Sequence, residues 1–438
     1  MPDLVVQHAT ILTADKVGTW FDNATMVVED GRITAIGPDA ELGDVAANAK
    51  TVIDGHGMLV MPGLINTHCH IASTLFRGLV EDLPLEPWLQ TVWKAEAAIL
   101  NPQTTHLGSL LGLAELTLSG VTTVMDMFWH PYETVRAARE VGVRISTGGI
   151  VFDPPGVTGQ SVEERFTEAV RFFEDFADAD DVMPAILPHG AYTVSPENLQ
   201  RARKLADRFG GLFCTHAAET RAEVDDITSR YGRSVIRHLD QLGLLDERTV
   251  LAHCVHLDDE EIAILARTGA RPSHNPVSNL KLASGVAPVP EMLEAGITVS
   301  LGTDGAVSGN DLDLWLALRL AAMLHKGVRK DARLVSTAQA LRMAALAGAE
   351  TLGVADRIGS LEIGKAADFI MIDLDRAHAV PLFDPLTHAV FSTNKSDVRH
   401  VFVGGRQVVR DHELTRIVLN DVLAEVRELA PRVKASIA

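Results

Sequence analysis

The sequence predicts an α/β protein, a (β/α)8 TIM barrel with a small β-sandwich domain formed by the N- and C-terminal segments. Three observations predict it. Short apolar runs alternate with longer amphipathic stretches through the middle of the chain. There are eight such runs over roughly 250 residues, the count and length of a (β/α)8 barrel. The two ends instead read as short strands and turns, with too little apolar surface for separate cores, so they are expected to meet. A doubly wound open sheet is the alternative, but no GxGxxG follows an early strand to support it.

Residues 1–60 contain the strand candidates "LVVQHATILTA", "ATMVVED", "GRITAIG" and "TVIDGHG". Asp30-Gly31 between two β-rich runs is a hairpin signal. The same texture returns in "DFIMIDLD" and "VRHVFVGGRQVVRD". The expected domains are therefore a composite β domain over 1–60 and 360–438 and a barrel over 61–359. The barrel strand candidates are "MLVMPGLINTHCH", "VTTVMDM", "VRISTGGIVF", "VMPAILPHG", "LFCTHAAE", "TVLAHCVHL", "ARPSHNP" and "ITVSLGTDG". Between them, segments such as 132–141, 196–209, 233–244 and 311–326 carry helical spacing.

Composition narrows the function classes. A chain of 438 residues, 47% apolar and 22% charged, has room for one large soluble domain and a small one. Net charge is -19 with no Lys/Arg block, which argues against nucleic acid or an anionic membrane as partner. The 3 cysteines, Cys69, Cys214 and Cys254, include no CxxC, and the odd count disfavours a disulfide framework. They read as packing residues. The opening "MPDLVVQHATILTAD" lacks a basic n-region, and no run approaches the ~18 apolar residues of a membrane span. A cytoplasmic protein is expected.

Polar residues fall where the apolar runs stop. His68 and His70 close the first run, Asp126 the second and His189 the fourth. His216 and Glu219 close the fifth, His253 the sixth, His274 the seventh and Asp304 the eighth. Barrel enzymes build their sites at the C-terminal ends of the strands. Side chains alternate along a strand, so His68 and His70 point the same way and can share one ion. A single buried histidine is more often a hydrogen-bonded core residue. Two at HxH spacing, joined by His216, His253 and Asp304 at other strand ends, read as a metal cluster.

The stretches "PGLINTHCH", "TLFRGLVEDLPLEPWL", "GVTTVMDM", "THAAE", "LAHCVHL", "SHNPVSNLKLASGVAPV" and "LGTDGAVSGNDLDL" resemble the amidohydrolase superfamily. The branch they resemble most is that of 5'-methylthioadenosine/S-adenosylhomocysteine deaminases, with guanine-type deaminases and triazine hydrolases as relatives. The likeness extends to "GSLEIGKAADFIMIDLD" near the C-terminus.

The resemblance implies His68, His70, His216 and Asp304 as metal ligands. It implies a metal-bound hydroxide as nucleophile, since a dipositive ion lowers the pKa of its water toward ~7. Glu219 would protonate a ring nitrogen, His253 would orient the nucleophile, and Asp304 would also pass a proton to the leaving group. Two-metal members bridge their ions with a lysine at the end of strand 4. Here that strand ends "AILPHGAYTVSPE", so one divalent metal is expected, zinc first, with Fe2+ or Mn2+ tolerated by the same ligands.

Four residues are expected to touch substrate. Trp88 can stack on a flat base or anchor its loop. Glu96 resembles the family acid that holds ribose hydroxyls, at a spacing one residue short. Arg144 resembles a strand-3 arginine suited to a carboxylate tail, with a structural strand role as the alternative. His189 is the fourth. The loop "FDPPGVTGQSVEER" has no basic residue before Arg165, which favours 5'-methylthioadenosine or adenosine over S-adenosylhomocysteine. The expected function is hydrolytic deamination of an aminopurine nucleoside by a small-molecule enzyme, homo-oligomeric like its relatives. The alternatives are an aminohydrolase or chlorohydrolase for another heterocycle (guanine, a pterin, a triazine) and a non-catalytic barrel scaffold.

Overall fold

The computed structural model describes residues 1–438. Eight parallel strands follow one another around the barrel. They are β1 (Leu64–Cys69), β2 (Val121–Asp126), β3 (Arg144–Val151), β4 (Val182–Pro188), β5 (Leu212–Ala217), β6 (Thr249–His253), β7 (Arg271–His274) and β8 (Ser300–Leu301). The last strand is two residues long, so the seam between β8 and β1 closes partly through side chains. The Thr67 hydroxyl donates to the Leu301 carbonyl at 2.9 Å and lies 2.7 Å and 2.8 Å from the Ser273 and Ser300 hydroxyls. Just above, the Asp304 N–H donates to the His68 carbonyl at 3.0 Å and ties two site residues together.

The apolar run expected to be one strand is two. Met58–Pro62 pairs antiparallel with Phe369–Asp373 in the other sheet, and the barrel begins only at Leu64. Gly63 is the crossing point. A Cβ there would lie 2.2 Å from Thr122 Cγ2, so only glycine lets the chain pass that close to β2.

The second sheet is mixed and has nine strands, five from residues 4–62 and four from residues 369–414. The expected Asp30-Gly31 turn is present with φ of 49° and 73°, the positive pair of a type I′ hairpin. The sheet curls around its own core, in which Phe369 and Phe402 stack at 4.3 Å beside Val6, Ile11 and Met26.

Three helices bear on the site: α1 (Leu85–Ile99), α2 (Arg221–Tyr231) and α3 (Leu419–Ala435). α1 lies in the long loop after β1 and covers the barrel mouth. α3 follows the second sheet in sequence and reaches back toward the barrel mouth. Its Val433 is buried with Leu75, Phe76, Trp88 and Val92, behind α1. The C-terminal segment expected within the β domain thus ends as a buttress for the loop over the site. No helix is long and apolar enough to cross a membrane.

Candidate metal and catalytic site

Four imidazoles, His68, His70, His216 and His253, and the carboxylate of Asp304 converge at the C-terminal end of the barrel. His68 is fully buried, and neither of its ring nitrogens has a hydrogen-bond partner. An orphaned buried polar atom costs about 1–3 kcal/mol, so such a ring calls for a ligand. His70 donates from Nδ1 to the Met127 carbonyl, and His216 donates from Nδ1 to the His189 carbonyl, each at 2.6 Å. These bonds fix both tautomers and aim both Nε2 lone pairs inward. The two Nε2 atoms lie 3.3 Å apart, and Asp304 Oδ1 lies 3.2 Å from His70 Nε2 and 3.6 Å from His68 Nε2. With both Nδ1 atoms donating to carbonyls, these inward atoms repel one another unless a proton or a metal ion lies among them. The donor set therefore fits a divalent ion.

The electrostatics agree. Burial and the neighbouring rings push His68 down to about 4 and His216 well below the usual imidazole range, so both are neutral donors. Burial also opposes charge on His70, but Asp304 overrides it and lifts His70 to about 9. Asp304 is held far below the carboxylate range, against burial, by His68 and His70. The field that draws a proton onto His70 also attracts a cation. Asp304 is held at its other contacts by Ser278 Oγ on Oδ2 at 2.5 Å and by the Gly305 N–H on Oδ1 at 2.8 Å.

Glu219 lies two residues beyond the end of β5. Its Oε2 lies 3.7 Å from His253 Nε2, and its Oε1 accepts from Ser284 Oγ at 3.2 Å. Burial raises its pKa, with His253 opposing. The His253 ring is oriented by Asn279, whose Oδ1 accepts from Nδ1 at 2.8 Å. Ala218, His253, Cys254 and Asp304 all have positive φ, between 48° and 79°. Left-handed backbone costs a non-glycine residue about 1–3 kcal/mol and clusters where side chains must be aimed.

The mouth opens into a cavity of about 700 Å³, its solvent-open entrance included. Trp88, Glu96 and His189 line it. Trp88 is buried and its indole N–H has no partner. Glu96 accepts from Trp129 Nε1 at 3.1 Å, and burial pushes its carboxyl up to about 7. His189 bonds Thr193 Oγ1 through Nδ1 at 2.9 Å, and burial pushes the ring down to about 3, so it is neutral.

Arg144 is not at this site. It is the first residue of β3, at the opposite end of the barrel from the histidines, and does not line the cavity. Its Nε and Nη2 donate to the two oxygens of Asp368 at 2.7 Å and 3.1 Å, joining barrel to sheet. The expectation of a substrate contact fails because a residue that begins a barrel strand lies at the rim away from the chemistry. Arg144→Ala is expected to destabilise the fold by roughly 3 kcal/mol, since it strands the buried Asp368, and to leave KM unchanged. Urea unfolding and steady-state kinetics check both, and a raised KM at normal stability would contradict it.

Asp126 and His274, polar at their strand ends, also turn elsewhere. Asp126 accepts from the Ile71 N–H at 2.7 Å and the Thr134 hydroxyl at 3.2 Å, fixing the chain just after His70. His274 faces His325 with ring centroids 5.8 Å apart.

Several residues at the site carry no individual signal in the sequence. Ser278, Asn279 and Ser284 lie in the stretch "SHNPVSNLKLASGVAPV", yet nothing in the string says which atom each one holds. Trp93 and Phe152 meet the His189 ring edge-on at 6.1 Å and 5.3 Å. The spacing 85, 88, 89, 92, 93, 96 on α1 is the helical signal that marks Trp93 as sharing a face with Trp88 and Glu96.

Comparison with known proteins matches residues 59–408 to the amidohydrolase family. A 5-methylthioadenosine/S-adenosylhomocysteine deaminase of Syntrophobacter fumaroxidans is 40% identical over 99% of this chain and 98% of its own. A 5'-deoxyadenosine deaminase of Methanosarcina barkeri is 39% identical over 99% of this chain and 100% of its own. Among solved structures, an adenosine deaminase from Xanthomonas campestris with bound zinc superposes with a TM-score of 0.96 at 32% identity, covering 99% of both chains.

Proposed function

This chain belongs to the amidohydrolase family, and on that premise we propose that it hydrolytically deaminates a neutral adenine nucleoside such as 5'-methylthioadenosine, 5'-deoxyadenosine or adenosine. The observation that carries the reading is the meeting of two sets of residues at one barrel mouth. His68, His70 and His216 lie close enough to share an ion, as do His68, His253 and Asp304, and Glu219 stands 3.7 Å from His253 under an aromatic-lined cover. The names of its relatives support the adenine nucleoside. The cavity lining supports a neutral one, because it includes no lysine or arginine. Arg165 lies behind the wall, its guanidinium 5.1 Å from the Trp129 ring centroid.

His68, His70, His216 and Asp304 would hold one divalent ion per subunit, zinc by preference. When bound, such an ion activates water as a nucleophile at neutral pH. The remaining work falls to side chains. Glu219, with its pKa raised by burial, gives a proton to the ring nitrogen beside the amine-bearing carbon and makes that carbon electrophilic. His253, locked by Asn279, presents Nε2 to the oxygen side of the reacting centre. Asp304 carries a proton to the departing nitrogen, so water plus amine become a ring carbonyl and ammonia. Trp88 and Trp93 offer faces and edges to the purine, and Glu96 offers an acceptor to sugar hydroxyls.

Ammonia release from a panel of substrates on zinc-loaded protein tests this. The panel holds 5'-methylthioadenosine, 5'-deoxyadenosine, adenosine, S-adenosylhomocysteine, guanine and a chlorotriazine. The expected order puts the neutral adenine nucleosides first. Ammonia from guanine, or chloride from the triazine, without turnover of any adenine nucleoside would overturn the proposal.

A further inference from the structure

The turn between β5 and α2 carries Glu219 and has an unusual support. The chain leaves β5 at Ala217 and bends through Ala218 at φ 53°. That bend aims the N–H groups of Ala218 and Glu219 in the same direction, away from the site. Both point at one side chain. Glu223 Oε1 accepts from Ala218 at 3.1 Å, and Glu223 Oε2 accepts from Glu219 at 2.7 Å. Successive N–H groups in such a bend form a concavity that takes an anionic group. Here the group comes from the same chain, four residues on.

Glu223 is itself fixed. It lies in the first turn of α2, where its N–H donates to the capping hydroxyl of Thr220 at 3.2 Å and the helix dipole favours a carboxylate. It is buried and does not line the cavity. The Ala218 carbonyl in turn accepts the N–H groups of Val255 and His256 at 3.0 Å and 2.9 Å. The bend held by Glu223 is therefore joined to the strained turn that follows His253, also at positive φ.

From this geometry we infer that Glu223 is a positioning residue for the reaction: its carboxyl group clamps two consecutive backbone N–H groups and thereby sets where Glu219 sits over the barrel mouth. The inference rests on the proton-carrying role proposed for Glu219. A helix-start acid with a purely structural duty would stabilise the fold without affecting turnover through Glu219. Glu223→Gln separates the two cases. The amide keeps the size but turns a donor toward one of the two N–H groups, so only one can be satisfied.

The experiment is a double-mutant cycle with Glu219→Gln in zinc-loaded protein. It measures kcat and KM for 5'-methylthioadenosine, zinc content by mass spectrometry and melting temperature. Glu223→Gln alone is expected to lower kcat about tenfold or more, with KM and zinc content within about twofold. In the Glu219→Gln background the same change is expected to alter residual kcat less than about twofold, because the group it positions is gone. An equal loss in both backgrounds, or an unchanged kcat in the single variant, overturns the inference. If Glu219→Gln itself retains full turnover, the role of Glu219 fails first and the inference falls with it. Should Glu223→Gln not fold, Glu223→Asp enters the same cycle. It keeps both acceptor oxygens but draws them back by one methylene, and the same two outcomes decide.

Discussion

Glu219→Gln is expected to cut turnover by about 10²–10⁴-fold while the protein keeps its fold and its zinc. The substitution is nearly isosteric. The amide oxygen can still accept from Ser284, so the side chain has a reason to stay where it is. The nearest ring neighbour, His253 at 3.7 Å, is still held by Asn279. None of the four proposed ligands contacts the changed atom in a hydrogen bond. What disappears is a carboxyl group whose pKa burial raises, the group proposed to give a proton to the ring. The loss should therefore appear in kcat rather than in KM, since Glu219 is asked to act on the reacting ring and not on the sugar. Steady-state kinetics, zinc content and a thermal melt on the same preparation check this. Wild-type kcat in a well-folded, zinc-replete variant would remove Glu219 from the chemistry.

The barrel was legible because its signal repeats. Eight apolar runs, seven of them ending in polar residues, cannot easily be another fold, and the HxH pair sits at a place where alternation gives it a direction. The small sheet was legible because neither chain end could bury itself. Two kinds of information were not in the string. One is polarity along a strand. Arg144 and His189 both belong to barrel strands or their ends, yet Arg144 starts β3 and reaches Asp368 below, while His189 follows β4 and faces the cavity. Only a fixed strand boundary separates them. The other is partnership between backbone and side chain. Glu223 reads as an ordinary acid in the first turn of a helix, and nothing marks it as the acceptor for two N–H groups. The break at Gly63 was hidden for a related reason. The apolar run is continuous because both sheets bury it, and the change of partner is set by how near Thr122 comes.

His216→Ala and His253→Ala should separate a ligand from its neighbour, and the geometry makes the comparison demanding. Two groups of donors lie close enough to share an ion: His68, His70 and His216, and His68, His253 and Asp304. His253 is thus spatially able to be a ligand, yet the proposed set excludes it. The hydrogen bonds do not decide between them, because His216 and His253 both use Nδ1 on a fixed partner and present Nε2 inward. The proposed set predicts that His216→Ala weakens zinc binding by more than the roughly 10–100-fold lost when a supporting partner of a ligand is removed. His253→Ala is expected to keep one equivalent of zinc and lose turnover. The same difference should appear in stability. A ligand that binds only the folded state adds about 4 kcal/mol at a thousand times its Kd, so zinc should raise the melting temperature of the wild type and of His253→Ala, and raise that of His216→Ala much less. Zinc content after dialysis against a weak chelator, with melts at fixed zinc, reads both effects. If His253→Ala loses the metal and His216→Ala retains it, the ion belongs to the other trio, and the orienting role proposed for His253 passes to His216.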